Sequence, residues 1–304
     1  MPDACTVAIV APSLYLSVTI EDGPEPVAPE IHVHAGGQAI WVARMLVALG
    51  ERPVVCAPLG GETGRALRGL AREWGIEVEA VRVEGASPAY VCDRRSGERV
   101  EVARSPAPQL DRHELDALYG RVLGRALATS LCVVTGRWSQ ADVPDDFYRR
   151  LASDLAAAGV ATVGDLDGGG LDWLKISDEE LAADGRVDGA DEGALLTAAR
   201  ELGAHGARNV VVSRSERPCL ALLGDTGLRV SGPVLRPVDS TGTGDSMTAA
   251  LASAWRHGRE PEDVLRLAWA AGAANVLRHG RGSADRDLIE RLAEQAHIDH
   301  LDAA

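Results

Sequence analysis

The sequence predicts a three-layer α/β fold: a mostly parallel central sheet flanked by helices, plus a small β-sheet lid. Two observations carry this. Short apolar runs alternate with helix-period segments along most of the 304 residues. Short links between strand and helix then bring successive strands into a parallel sheet covered on both faces. Two pairs of strand-like runs break the alternation, and these are read as the lid.

The elements follow in order. Residues 6–10 are the first strand. Residues 14–21 and 30–34 are strand-like and separated by a Pro-rich turn, which makes them the first lid pair. Residues 38–49 have helical periodicity and close on Gly50; residues 53–57 are a strand; residues 64–74 are a helix closed by Gly75. A glycine just past the last periodic residue is a helix stop. Residues 89–93 and 98–103 flank Arg94-Arg95-Ser96-Gly97 as a hairpin, the second lid pair. Helices at 112–128, 145–158 and 192–202 then alternate with strands at 131–135, 160–164 and 209–213. The last third is read as mostly helical, at 244–257, 262–277 and 285–296. No repeat or long linker interrupts this, so we expect one domain over 1–304, with lid strands inserted at about 14–34 and 87–103.

Composition excludes several functions. The formal net charge is −14, and the chain has one lysine, Lys175. A P-loop ATPase needs a lysine in its Gly-rich loop and a protein kinase needs one on its third strand. Neither pattern occurs. An acidic chain does not suit nonspecific nucleic-acid binding, which relies on dense Lys/Arg contacts to phosphate. Cys5, Cys56, Cys92, Cys132 and Cys219 are isolated and odd in number, which reads as reduced thiols and not a disulfide or zinc framework. The apolar stretch 4–20 lacks a basic flank and contains Pro12, so it reads as strand and not as signal peptide or membrane span. A soluble cytoplasmic protein is expected, with a small-molecule substrate and neither nucleic acid nor membrane as partner.

The chemistry concentrates at Asp239-Ser240-Thr241-Gly242-Thr243-Gly244-Asp245, immediately before an apolar helix. Small residues let the backbone turn tightly and present N–H groups at the positive end of that helix, a cradle for anionic oxygens. An Asp in the first helical turn can accept a hydroxyl proton as the oxygen attacks phosphorus. Taken alone, a glycine turn with an acidic first-turn residue reads more readily as a purely structural helix start.

The longer pattern resembles the signature of the ribokinase/PfkB carbohydrate kinases. Other segments match that family too. Ala35-Gly36-Gly37-Gln38-Ala39-Ile40-Trp41 is similar to its Gly-Gly motif. Leu59-Gly60-Gly61-Glu62-Thr63-Gly64 resembles its next strand–helix turn, and Lys175-Ile176-Ser177-Asp178-Glu179-Glu180-Leu181 its Lys-Pro-Asn-x-x-Glu-Leu motif. Gly272-Ala273-Ala274-Asn275, with Gly280 and Gly282, is similar to its adenine-side segment. The similarity is strongest to the 1-phosphofructokinase and tagatose-6-phosphate kinase branch. It implies a ribokinase-like fold, ATP and Mg²⁺ as cofactors, K⁺ as a further ion, and a homodimer joined through the lid. It also implies roles. Asp245 would be the base, with Gly242, Thr243 and Gly244 as the anion hole. Glu180 would help place Mg²⁺ through water. Asp239 would lie near a monovalent cation, and Ser213, Ser215 and Asn275 would lie on the nucleotide side.

The substrate side departs from the family. The lysine of its Gly-Gly-Lys motif is Gln38, its Asn is Trp41, its lid arginine is absent near Tyr90, and its Asn-Pro-x-x-Asp is replaced around Tyr15. Gly136-Arg137-Trp138-Ser139 stands for Gly-Ser-Leu-Pro, and Ser177 replaces the motif Asn. The candidate acceptor pocket is therefore Tyr15, Gly36, Gly37, Gln38, Trp41, Tyr90 and Trp138. Losing a charged partner from a buried site costs roughly 2–5 kcal/mol of binding. The expected acceptor is accordingly not fructose 1-phosphate but a nucleoside-like or less polar alcohol stacked on these rings. Two alternatives stay open: the rings are ordinary core filling a vacated pocket, or the protein is a nucleotide-binding pseudokinase with a regulatory role. His32 and His34 share a strand face, as metal ligands could, but no third ligand is near.

Overall fold

Two sheets organise the chain. The structure, a computed structural model, describes residues 5–23, 28–136, 143–165, 169–189, 191–278 and 280–301. In chain order, the elements begin with β1 (Val7–Val10), β2 (Tyr15–Asp22), β3 (Pro29–Gly36), α1 (Gln38–Ala48), β4 (Pro53–Leu59), α2 (Gly61–Glu73) and β5 (Glu77–Arg82). Then come β6 (Ala89–Asp93), β7 (Val100–Ser105), α3 (Arg112–Thr129), β8 (Leu131–Val134), α4 (Asp145–Ala157), β9 (Ala161–Gly164) and β10 (Trp173–Ser177). The chain continues through α5 (Asp178–Ala183), α6 (Glu192–Ala204), β11 (Asn209–Arg214), β12 (Arg217–Leu223), β13 (Thr226–Ser231), α7 (Thr243–Arg256), α8 (Pro261–Asn275), α9 (Arg286–Glu294) and β14 (His297–Leu301).

The large sheet has ten strands in the order β14-β13-β12-β11-β10-β9-β8-β1-β4-β5. From β11 to β5 every pairing is parallel. Alternate side chains of β1 feed two cores. Val7 and Ile9 pack with α1, α7 and α8 on one face, and Ala8 and Val10 pack with α3 and α4 on the other. That double burial is why β1 and β4 read as continuous apolar runs with no polar residue between.

The sequence reading of a mostly helical last third needs correction. β12, β13 and β14 extend the sheet as antiparallel strands. They escaped notice because β12 begins straight after the tight turn at Ser215 (φ 48°) and β14, His-Ile-Asp-His-Leu, is an edge strand whose exposed residues are polar. β5 and β10 also went unread as strands. The two lid pairs form a single four-stranded sheet, β3-β2-β6-β7, held across its middle by parallel pairing of β2 with β6. Its outer strands expose Ile31, Val100 and Val102. No helix among the described residues is long and apolar enough to cross a membrane.

Candidate active site

The candidate residues gather at the carboxyl ends of the parallel strands. The chain leaves β1 on one side toward β4 and later returns on the other side as β8, so strand order reverses between them. Such a reversal opens a crevice at the strand ends, where ligands of open α/β sheets bind. Gly136 follows β8, Asp165 follows β9, Ser177 ends β10 and Ser213 lies at the end of β11.

The signature loop enters this crevice as the start of α7. Gly242 caps the helix with φ 84°, a left-handed conformation that a side chain would strain. Thr243 turns its N–H to the Ser240 carbonyl at 3.3 Å, and its hydroxyl donates to the same oxygen at 2.7 Å. The amides of Gly242 and Gly244 have no protein acceptor among the described residues. Of the three residues assigned to the anion hole, therefore, the two glycines offer their amides while Thr243 braces the turn.

Lys175, which sequence reasoning left without a site role, reaches this loop. Its ammonium is so near that a Cβ on Gly244 would lie 2.6 Å from Nζ. It is buried and lies 3.6 Å from Glu180 Oε2. Glu180 is fixed by a capping box: its Oε2 accepts from the Ser177 N–H at 2.7 Å and from the Ser177 hydroxyl at 2.8 Å. These bonds all fall on Oε2, so Oε1 remains for an outer-sphere water. That fits a Mg²⁺ ion that arrives on nucleotide phosphates and is held through water. Among the described residues no group of three or more His, Cys, Asp or Glu could hold a metal alone.

Asp245 stands in the first turn of α7. Burial raises its carboxyl from 3.8 to about 6, against the pull of Lys175 and Arg281 and a hydrogen bond from Gln38. Gln38 is oriented by the Gly136 N–H, which donates to its Oε1 at 2.7 Å. The same N–H reaches Asp165 Oδ1 at 3.0 Å. Burial pushes Asp165 to about 7, with Lys175 opposing and Asp245 and Glu180 adding to the rise. So Gln38, expected among the acceptor ligands, sits beside the candidate base.

The nucleotide side is less open than expected. Ser213 holds the Ile176 carbonyl at 3.5 Å, and Ser215 lies in the exposed β11–β12 turn. The turn is braced by Arg214 on Glu192 at 2.6 Å and Arg217 on Asp178 at 2.8 Å. Asn275 is only 1% exposed. Its Nδ2 donates to the Thr241 carbonyl at 3.0 Å, and its Oδ1 accepts from the Gly282 N–H at 3.0 Å. Both ends of its amide are thus bonded inside the protein.

A cavity of about 800 Å³ lies between the lid, α1, α2 and residues 239–241 and 280–281. Trp41 and Tyr90 line it; Tyr15 packs behind Tyr90 with ring centroids 5.0 Å apart. Gly36 ends β3 opposite Tyr15, and Gly37 caps α1. Trp138, with Arg137 and Asp167, lies outside the described residues. The rings are not open stacking platforms. Trp41 is 8% exposed and Tyr90 5%. Arg281 lies over Trp41 at 5.4 Å, Arg99 over Tyr90 at 5.1 Å, and Arg44 over Trp74 at 4.5 Å. His32 and His34 stack at 6.1 Å, and His34 stacks on Trp74 at 6.4 Å.

The expectation of a pocket stripped of cations is therefore corrected. Arg44, Arg94, Arg99 and Arg281 all line the cavity. Arg94 pairs with Glu21 at 3.4 Å, while Arg44, Arg99 and Arg281 have no carboxylate partner among the described residues. The carboxylates on the wall are Glu21, Glu73 and Asp239, and Asp239 is engaged by Thr241. None of the motifs read from the sequence includes Arg44, Arg99 or Arg281, so these three went unnoticed there.

A recessed carboxylate, the helix-start amides of α7 and a lysine reaching them from β10 thus share one corner of the crevice. The family model for pfkB family carbohydrate kinases matches residues 139–287. The chain is 29% identical to the ATP-dependent 6-phosphofructokinase isozyme 2 of Mycobacterium tuberculosis, over 86% of this chain and 79% of that protein. It is 26% identical to the 1-phosphofructokinase of Vibrio cholerae, over 88% and 87% of the two chains. The solved phosphofructokinase-2 of Escherichia coli in complex with potassium has the same fold, with TM-score 0.83 and 22% identity over 95% of this chain and 98% of that one. Residues 139–287 carry a pfkB family carbohydrate kinase domain, and the chain is a phosphotransferase with an alcohol group as acceptor.

Proposed function

We propose that the chain transfers the γ-phosphoryl of ATP to a hydroxyl of a small alcohol that also carries an anionic group. The single observation behind the acceptor is the set of three arginines, Arg44, Arg99 and Arg281, facing the cavity without carboxylate partners among the described residues. Guanidinium groups held over aromatic rings are pre-organised to grip carboxylate or phosphate oxygens. The rings serve as their supports, which favours the core reading of the aromatics over a stacking platform for a flat alcohol. A phosphorylated sugar, disfavoured by the motif substitutions alone, is compatible with this cavity.

In the reaction, Asp245 takes the proton of the acceptor hydroxyl. The Gly242 and Gly244 amides and Lys175 hold the charge that develops on the transferring group. ATP supplies the phosphoryl group and Mg²⁺ would be held by Glu180 through water. The lid shields the cavity from water and, with its exposed Ile31, Val100 and Val102, is where we place a homodimer contact.

ADP release across a panel of neutral nucleosides, neutral sugars, sugar phosphates and hydroxy acids tests the reading. Turnover should be confined to the anionic alcohols. Arg281→Met should raise the acceptor KM about 10- to 100-fold, the scale of one charged hydrogen bond, with a smaller change in ATP KM. Equal turnover of neutral nucleosides would sink the anionic acceptor. ATP binding with no turnover of any alcohol would favour the pseudokinase reading, whose one structural support is that Ser177 caps α5 and so is not presented to a metal.

A further inference from the structure

His32 and His34 sit two apart on β3, on the face that lines the acceptor cavity, and the reaction derived above uses neither. Their partners differ. His32 Nε2 lies 3.3 Å from Glu30 Oε2. The His34 ring makes no hydrogen bond or ion pair among the described residues; it stacks on His32 at 6.1 Å and on Trp74 at 6.4 Å. Trp74 also carries the Arg44 guanidinium, 4.5 Å from its ring. A lid histidine and a body arginine therefore meet at one indole, and both line the cavity. Arg44 donates from Nη1 to the Arg281 carbonyl at 3.1 Å, and its Nε and Nη2 have no acceptor among the described residues. Burial, with Arg278 nearby, holds its guanidinium below the usual arginine value. A cation partly withdrawn from water calls for a counter-ion.

We infer that the oxyanion of the acceptor docks against Arg44 and His34, and that docking draws a proton onto the His34 ring. This rests on the anionic-acceptor reading and names where the anion sits. The charges around His34 come from every side. On β3 there is His32, held by Glu30; on β2, Glu21, which pairs with Arg94 of the β6–β7 turn; on α1, Arg44; and at the end of α2, Glu73. Arg99, Arg281 and Asp239 complete the charged lining. Burial, His32 and Arg44 hold the ring below the ordinary histidine value, and Glu21 opposes them. Without an anion beside it the ring is mostly neutral at pH 7. An oxyanion set against Arg44 offsets that arginine's repulsion and favours the imidazolium, which has two N–H donors where the neutral ring has one. Arg44 belongs to α1 and His34 to a lid strand, so the anion also ties the lid to the body. His34 is thereby a specificity-determining residue: it reads the acceptor's charge, and the hydroxyl is left to Asp245. Glu30 already occupies His32, which serves only as a stacking neighbour.

The test follows the His34 ring itself by NMR, in the full chain across pH, with His34→Gln identifying its signal. Sulfate is the first probe, because phosphate has a second pKa of about 6 and would titrate alongside the ring. In sodium chloride the His34 midpoint should lie below about 6.5. In saturating sodium sulfate at the same ionic strength it should rise by about one unit or more. By linkage, sulfate read at this signal then binds about tenfold more weakly above the raised midpoint than below the free one. His32 should move less than half as far, and Arg44→Met should lose most of the His34 rise. The second probe is the anionic alcohol that binds best in the acceptor panel, which should displace sulfate and reproduce the rise. A His34 midpoint that both probes leave within about 0.3 unit overturns this inference and leaves the anionic acceptor standing. A rise with sulfate that the alcohol does not reproduce overturns it too, because the anion site would then lie outside the acceptor's reach. Binding and turnover of neutral alcohols alone overturn the acceptor reading and this inference with it.

Discussion

Asp245→Asn is expected to abolish measurable turnover while leaving ATP affinity within about twofold of the parent. General-base catalysis contributes about 10²–10⁴-fold, and no other carboxylate stands in the first turn of α7. Asp165 is the nearest candidate to substitute, but it follows β9 and is turned to the Gly136 amide. Turnover of the parent should rise about tenfold per pH unit below pH 6 and level off above it, since the base works ionised and its carboxyl sits at about 6. The sign for stability is opposite. A carboxyl raised above 3.8 binds its proton more tightly folded than unfolded, so its contribution falls as pH rises from about 4 to about 6. Asn removes that penalty, and the variant should be at least as stable as the parent at pH 7. Loss of activity with an unchanged or higher melting temperature separates chemistry from misfolding. An Asp245→Asn protein with more than a tenth of parental turnover would refute the assignment.

Which parts of this site could be read from sequence depended on how far apart in the chain the cooperating atoms lie. Gly242, Gly244 and Asp245 were legible because one turn and the helix it opens hold their whole geometry. Glu180 was singled out by its motif alone, and the capping box it makes with Ser177, three residues before it, emerged only in the structure. Lys175 was visible as the lone lysine, but its approach to Gly244 depends on how β10 packs against α7 and no local pattern encodes that. The cavity arginines were illegible for a different reason. Arg44, Arg99 and Arg281 come from α1, the lid and the loop after α8, and a single arginine in sequence looks like solvated surface. Asn275 was noticed but its environment was not: a conspicuous polar residue reads as a ligand until burial shows both ends of its amide satisfied.

The same logic makes Lys175 the second residue on which turnover should turn. Its ammonium is the nearest fixed cation to Asp165, Asp245 and Glu180 together, and it lowers the carboxyl of each. It also abuts Gly244, where the transferring phosphoryl would rest. Lys175→Met keeps most of the unbranched stem of the side chain and removes the charge. We expect turnover to fall about 10²–10³-fold, the scale seen when one pre-organised group that stabilises transition-state charge is lost. The rising limb of the pH–rate profile should move above 6, because Asp245 loses the cation that most favours its ionised form. Lys175→Arg should recover less than a conservative exchange suggests, since a planar guanidinium does not fit the space an ammonium leaves beside Gly244. Combined with Asp245→Asn, the losses should not multiply, because both residues act on the same transition state. A purely structural lysine would lower melting temperature without moving the pH limb. Lys175→Met retaining turnover within fivefold of the parent, at an unshifted pH limb, would show that the anion is held by the helix-start amides alone.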